Sequence, residues 1–308
     1  MQNRIQWLAI GGLVLLVVIF IFKPSTTEVA VPYPVFPPGG QFENAESFDL
    51  PDSMYFAGER VPLELPDVYE RLDREMHINT YWHTNTIFLL KRSNRWMPQI
   101  SMILAEMGVP DDFKYLAAIE SNFLNDTSGN GAVGFWQFLK TAGREFGLEI
   151  TTEVDERYDP IKSTYAAARY IKKSYGKFEN WTLVAASYNR GRSGIGRAME
   201  RQQVEDYYDL LLNEETSRYV FRILAAKEII SNPEKYGFDI SKEHLYTQEE
   251  VNYVEVTATI NNLITWSQEQ GINYKLLKRY NPWLRRDRLT VASGKTYQIA
   301  IPNYASND

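Results

Sequence analysis

The sequence predicts a mainly α-helical fold, followed by a small α+β module and preceded by an apolar membrane helix. Three observations carry this. Between residues 96 and 230 apolar residues recur at helical spacing; Gly108, Gly147, Gly176 and Gly191 stand where stops are expected, and Asp159-Pro160 has the form of a helix start. Further on, Tyr253-Val254-Glu255-Val256 and Tyr297-Gln298-Ile299-Ala300-Ile301-Pro302 alternate as strands do. At the other end, residues 5–22 carry no charge and are dominated by Leu, Val and Ile.

That apolar run, with Arg4 before it and Lys23 after it, would extend about 27 Å as a helix, close to the hydrocarbon thickness of a bilayer. A cleaved leader has a shorter apolar run and small residues at its cleavage site, but the candidate Val29-Ala30 has Glu28 at the position that should be small. Residues 1–23 are therefore expected to be an uncleaved transmembrane signal anchor. Arg4 and the free amine favour an inside N-terminus, which leaves the rest of the chain outside the cytoplasm in the cell envelope, the periplasm if the cell is Gram-negative. Residues 24–66 are rich in Pro, Gly, Ser and acids, with Pro32, Pro34, Pro37 and Pro38 close together, and are expected to be an extended, poorly packed linker.

A folded helical domain is expected over residues 67–245. It begins with a polar and aromatic helical segment over 68–96 and continues as short helices over 96–107, 112–120, 141–146, 160–175, 181–189, 193–201 and 215–230. His77 and His83 are six apart with no companion at metal-ligand spacing, so no metal is expected.

Within this domain Glu120 is the candidate catalytic acid. It falls in the last turn of a helix begun by Pro110-Asp111, where the helix dipole disfavours negative charge, and Phe123, Trp136 and Tyr188 would strip water from it if they converge. Both effects raise a carboxyl pKa, and a raised carboxyl can protonate a glycosidic oxygen. A turn over 125–131 then leads to Gly134-Phe135-Trp136-Gln137. Gly134 admits a close backbone approach, and Gln137 offers a donor and an acceptor. Trp136 is either a platform for a sugar face or an ordinary core ring beside a capping Gln. Asn180 caps a later helix that Gly191 stops, leaving Tyr188 and Asn189 at its C-terminal mouth, either as groove residues or as plain helix terminators.

Taken together, Glu120-Ser121, Gly134-Phe135-Trp136-Gln137 and Ser187-Tyr188-Asn189-Arg190-Gly191, with Thr127-Ser128-Gly129 and Glu215-Thr216-Ser217-Arg218-Tyr219-Val220, resemble the family 1 lytic transglycosylases of the membrane-bound D type over about residues 95–237. Ser187 stands where that family usually has Ala. The resemblance implies a lysozyme-like fold and cleavage of the β-1,4 bond between N-acetylmuramic acid and N-acetylglucosamine, with 1,6-anhydro ends. It also implies that Glu120 is the lone catalytic acid, oriented by Ser121, and that Gly134, Trp136, Gln137, Tyr188 and Asn189 bind substrate. No cofactor is implied. Strand, helix, helix, strand over 250–304 resembles a LysM-like glycan-binding module, degenerate because the usual Gly-Asp-Thr-Leu after the first strand is missing.

Composition limits the partners. A net charge of -6 without a Lys and Arg stripe argues against nucleic acid, and the absence of cysteine excludes disulfides and thiolate metal sites. The expected partners are peptidoglycan glycan strands and, through the N-terminal helix, the membrane. Two rivals stay open: a hydrolytic muramidase, and a non-catalytic peptidoglycan-binding scaffold.

Overall fold

The structure, a computed structural model, describes residues 47–303. Among these residues no helix is long and apolar enough to cross a membrane. The expected anchor at 1–23 and the first part of the expected linker lie outside them.

The described chain opens with a hairpin of β1 (Tyr55–Phe56) and β2 (Glu59–Arg60), turned by Ala57 and Gly58 at φ 52° and 86°. Here the expectation of a poorly packed linker as far as residue 66 is corrected. Leu50, Met54, Phe56 and Val61 are buried. Phe56 meets Phe113 edge-on at 5.2 Å, and burial of such rings offsets the entropy of ordering the strand. The Glu59 carboxylate accepts hydrogen bonds from the Trp181 and Thr182 amides and the Thr182 hydroxyl at 2.6, 2.8 and 2.7 Å, so the hairpin caps a helix far away in sequence.

Two helices follow, α1 (Pro66–Tyr81) and α2 (His83–Glu106), separated only by Trp82. The sequence places a helix start at Trp96, but α2 runs continuously through Pro98. A short 3-10 turn, Asp111–Phe113, leads into α3 (Lys114–Ser121), and α4 (Lys140–Glu145) is a single short piece. Next come α5 (Pro160–Phe178), α6 (Trp181–Arg190) and α7 (Arg192–Gln202), then α8 (Glu214–Ser231). The expected start signals are used: Asp159 accepts from the Ile161 and Lys162 amides with Pro160 in the first turn, and Asn180 accepts from the Leu183 amide.

Helix α8 is the axis of the domain, packed against α1, α3 and α6, and Tyr219, Val220, Phe221, Ile223, Leu224, Ala225 and Ile229 are all buried. Buried alanines on α5 (Ala166 to Ala168) and α6 (Ala185, Ala186) let those two backbones pack side by side. This brings the ends of α3 and α6 to one helix.

The C-terminal module has the expected order. β3 (Val251–Val256) pairs antiparallel with β4 (Tyr297–Pro302) in the register Val251↔Pro302 to Val256↔Tyr297, and α9 (Leu263–Glu269) and α10 (Tyr274–Tyr280) lie between them in sequence. Gly271 at φ 75° turns the chain between the helices. Val256, Leu263, Leu277, Trp283, Leu284, Tyr297 and Ile299 form its core, joined by Val154 from the helical domain. The Asp155 amide bonds the Trp283 carbonyl at 2.9 Å and the Arg285 amide bonds the Glu153 carbonyl at 2.7 Å, so the module is docked through backbone as well as apolar contact.

Candidate active site

Glu120 occupies the last turn of α3, which ends abruptly because Asn122 and Phe123 both take positive φ, 50° and 56°. Two consecutive non-glycine residues in that region are strained and must be held by their surroundings. Arg92 Nε donates to the Asn122 carbonyl at 2.6 Å, Asn122 Nδ2 to Asn85 Oδ1 at 2.7 Å, and Arg222 Nη2 to the Ile119 carbonyl at 2.9 Å. The guanidinium groups thus satisfy carbonyls at the negative end of α3.

The Glu120 carboxyl has its pKa raised, chiefly by burial. The hydrogen bond from Tyr219 and the charge of Arg222 pull it back down, and Glu215 pushes it slightly up. The Tyr219 hydroxyl donates to Glu120 Oε1, and Tyr219 is itself almost fully buried on α8. A cavity of about 290 Å³ opens beside the carboxyl, lined among others by Trp82, Asn85, Asn122 and Arg222. Glu75, the other carboxylate lining it, is locked at 2.6 Å to Arg218 Nε. Trp82, 60% exposed in the break between α1 and α2, supplies an open aromatic face.

Several residues read from the sequence have different tasks. Trp136 is fully buried and its indole Nε1 donates to Thr164 Oγ1 at 2.9 Å, so the expected sugar platform is corrected to a core ring. The cause is local: Gly134 and Gln137 at φ 78° and 46° turn the loop so that Phe135, Trp136 and Phe138 all point inward. At Gly134 a Cβ would lie 2.0 Å from the Arg157 carbonyl oxygen, so the close approach expected there is made to Arg157.

Ser121 Oγ donates to the Phe135 carbonyl at 3.0 Å, which ties the end of α3, next to Glu120, to the Gly134 loop. Tyr188 donates to the Trp136 carbonyl at 2.8 Å and packs edge-on against Tyr170 and Phe138. Burial and the nearby Glu120 carboxylate raise its pKa well above the usual tyrosine value. Asn189 spends both ends of its amide on α8: Nδ2 donates to Glu215 Oε1 at 3.0 Å, and Oδ1 accepts from Thr216 Oγ1 at 2.7 Å. Gln137 Nε2 donates to the Gly134 and Asp126 carbonyls at 2.9 and 3.2 Å.

Three residues were not assigned a role from the sequence. Arg157 holds the Gly134 loop through the Gly131 and Phe138 carbonyls, both at 3.1 Å, and its guanidinium is itself held by two hydrogen bonds to Asp155. Tyr219 and Trp82 carry no local signal beyond being aromatic. The Thr-Ser-Arg-Tyr run around Tyr219 could have pointed to it, because the hydroxyl of a buried tyrosine needs a partner.

Residues 100–211 match the family described as Transglycosylase SLT domain, and residues 252–305 match the Soluble lytic transglycosylase C-terminal LysM-like domain; the chain carries both. It is 27% identical over 272 residues to the Membrane-bound lytic murein transglycosylase D of Escherichia coli (strain K12), covering 82% of this chain and 56% of the relative. It is 28% identical over 113 residues to the Putative tributyltin chloride resistance protein of Alteromonas sp. (strain M-1), covering 35% and 55%. The chain thus spans about half the length of the curated relatives it matches. A solved lytic transglycosylase, Slt from Pseudomonas aeruginosa, aligns at a TM-score of 0.36 and 18% identity over 50% of this chain and 26% of that one.

Proposed function

We propose that this SLT-domain chain is a peptidoglycan lytic transglycosylase that cuts the β-1,4 bond between N-acetylmuramic acid and N-acetylglucosamine and leaves 1,6-anhydro-N-acetylmuramic acid ends. The observation that carries the reading is one desolvated carboxyl, Glu120, hydrogen-bonded by Tyr219 and facing a cavity whose other carboxylate, Glu75, is neutralised by Arg218. One acid without a free second carboxylate suits a substrate that supplies its own nucleophile.

The steps balance with Glu120 alone. Its carboxyl gives a proton to the glycosidic oxygen as the bond from that oxygen to C1 of the muramyl residue breaks, and the aglycone leaves as an alcohol. The Glu120 carboxylate then takes the proton of the muramyl C6 hydroxyl while O6 bonds to C1, which closes the anhydro ring and restores the acid. Tyr219 stabilises the carboxylate between the two steps, and burial favours the acid before and after. Gln137, Tyr188 and Asn189 frame the loop and helix end around the bound sugar, and Trp82 offers it an aromatic face.

The expected membrane anchor at residues 1–23 and the catalytic domain over 67–245 would place this chemistry in the cell envelope, beside the membrane and against murein strands. A hydrolytic muramidase differs only in delivering water to C1. Mass analysis of products from digested sacculi separates the two: anhydro ends are expected, and reducing ends would overturn the reading. Glu120→Gln keeps the shape of the side chain but cannot donate a proton, so muropeptide release should be lost; retained release would remove Glu120 from the mechanism.

A further inference from the structure

Arg222 lies one turn beyond Tyr219 on α8, so the two side chains leave the same face of the helix. Both act on the Glu120 carboxyl, Tyr219 through its hydroxyl and Arg222 through its charge. They differ in what they have left to give. Tyr219 is almost fully buried and its hydroxyl is spent on Glu120. Arg222 is partly exposed in the wall of the catalytic cavity and uses one N–H inside the protein, from Nη2 to the Ile119 carbonyl at 2.9 Å.

A carbonyl accepts a hydrogen bond without neutralising the guanidinium that gives it, and Arg222 forms no ion pair among the described residues. The charged side chains that line the cavity are Glu75, Glu120, Arg218 and Arg222. Glu75 is matched by Arg218 at 2.6 Å. While Glu120 holds its proton, nothing in the wall matches Arg222. Glu215, the other acid whose charge reaches Glu120, lies outside the lining and accepts from Asn189 Nδ2 at 3.0 Å. Asn85 adds a donor to the same wall: its Oδ1 accepts from Asn122 Nδ2 at 2.7 Å, which leaves its own Nδ2 without a partner among the described residues. An unmatched guanidinium beside a spare amide is a receptor for a carboxylate.

We propose that Arg222 receives a carboxylate carried on the lactyl arm of the muramyl residue whose C1 bond is cut, so that the catalytic cavity selects charged arms over neutral ones. The inference rests on the reading of murein as substrate. In that polymer the hexosamine rings are neutral. The negative charge sits on the arm at O3 of the muramyl ring, either as the arm's own carboxylate or as those of a peptide attached to it. The bond that breaks begins at C1 of the same ring, so the arm enters the site with the reacting atoms. Arg222 is then a specificity residue, whose planar fork fits a carboxylate and whose loss shows in affinity. Its hold on the Ile119 carbonyl is a second, structural task.

The test is calorimetric binding to the full chain in detergent, carrying Glu120→Gln so that the probes stay uncut and the acid position stays neutral. Two pairs of murein tetrasaccharides are compared. One has free lactyl carboxylates and a counterpart with these as primary amides; the other has stem peptides and a counterpart with the peptide carboxyls amidated. In at least one pair the charged member should bind roughly tenfold more tightly, the size of one charge-assisted hydrogen bond, and the pair that shows it identifies the source of the carboxylate. Adding Arg222→Gln, or Arg222→Met if the first does not fold, should bring that ratio to within about twofold. A change that merely loosens the end of α3 weakens both members alike and leaves the ratio standing. Equal affinity within both pairs while Arg222 is intact, or a ratio that survives its replacement, would overturn the proposal. Binding needs no turnover, so a lack of anhydro products from the chain with Glu120 intact would count against the catalytic reading and not against this one.

Discussion

The hydroxyl of Tyr219 on α8 donates a hydrogen bond to Glu120 Oε1 at the end of α3, across 99 positions of sequence. Burial raises the Glu120 pKa and this bond opposes it, so the two together set where the carboxyl titrates.

Replacing Tyr219 by Phe removes a group that favours the ionised carboxylate. The Glu120 pKa should rise further, and the alkaline limb of the kcat/KM profile, where the acid form is lost, should move to higher pH. kcat should fall as well, because the carboxylate that must recover a proton has lost its partner. The pH–rate profile of the variant on sacculi checks this; a limb that stays in place or moves down contradicts it.

The raised pKa also makes a prediction for stability. The native Glu120 binds its proton more tightly than an unfolded glutamate near 4.5, so its contribution is complete below that value and is lost as pH rises through the folded one. Gln cannot ionise. The melting temperature of Glu120→Gln minus that of the parent should therefore grow from pH 4.5 towards pH 8, as thermal scans across that range would show. A difference that is flat or shrinks would mean that Glu120 is not desolvated.

Trp136→Phe separates a core ring from a sugar platform. It leaves a cavity and removes the bond to Thr164, at a cost of about 2–3 kcal/mol. Chemical denaturation should show that loss, while KM for soluble glycan fragments of the folded variant should stay within about twofold, since a change of 1.4 kcal/mol in binding would be needed for tenfold. A large rise in KM with unchanged stability would restore the platform.

Gly134→Ala should be among the most damaging single changes. The added Cβ would meet the Arg157 carbonyl oxygen at 2.0 Å on a backbone at φ 78°, and neither backbone can give way without disturbing the bonds Arg157 makes to Gly131 and Phe138. A loss of roughly 3 kcal/mol or more is expected, read as insoluble expression or a large drop in melting temperature.

Much of the fold was legible locally. Capping residues work over a few positions, so Asn180 and Asp159-Pro160 could be placed from their neighbours alone. The 3.6 and 2 residue periods found most helices and the strand pair. The boundary expected at Trp96 is absent because α2 runs on from His83 as one helix, with Pro98 inside it. The hairpin at 55–60 was missed because short strands next to proline-rich sequence look like linker until Phe113 and Trp181 are present to cover them.

The sequence by itself singled out Glu120 as the candidate acid, placed it in the last turn of its helix, and marked Gly134 as a point of close approach, because each reading draws on chemistry within a few residues. Only the tertiary structure decided what surrounds the acid. It seated Tyr219 on Glu120, gave Ser121 to the Phe135 carbonyl, turned Trp136 into the core and left Trp82 at the open cavity. Those choices depend on which helix faces lie within hydrogen-bond reach after α3, α6 and α8 have packed, a long-range relation that no local pattern encodes.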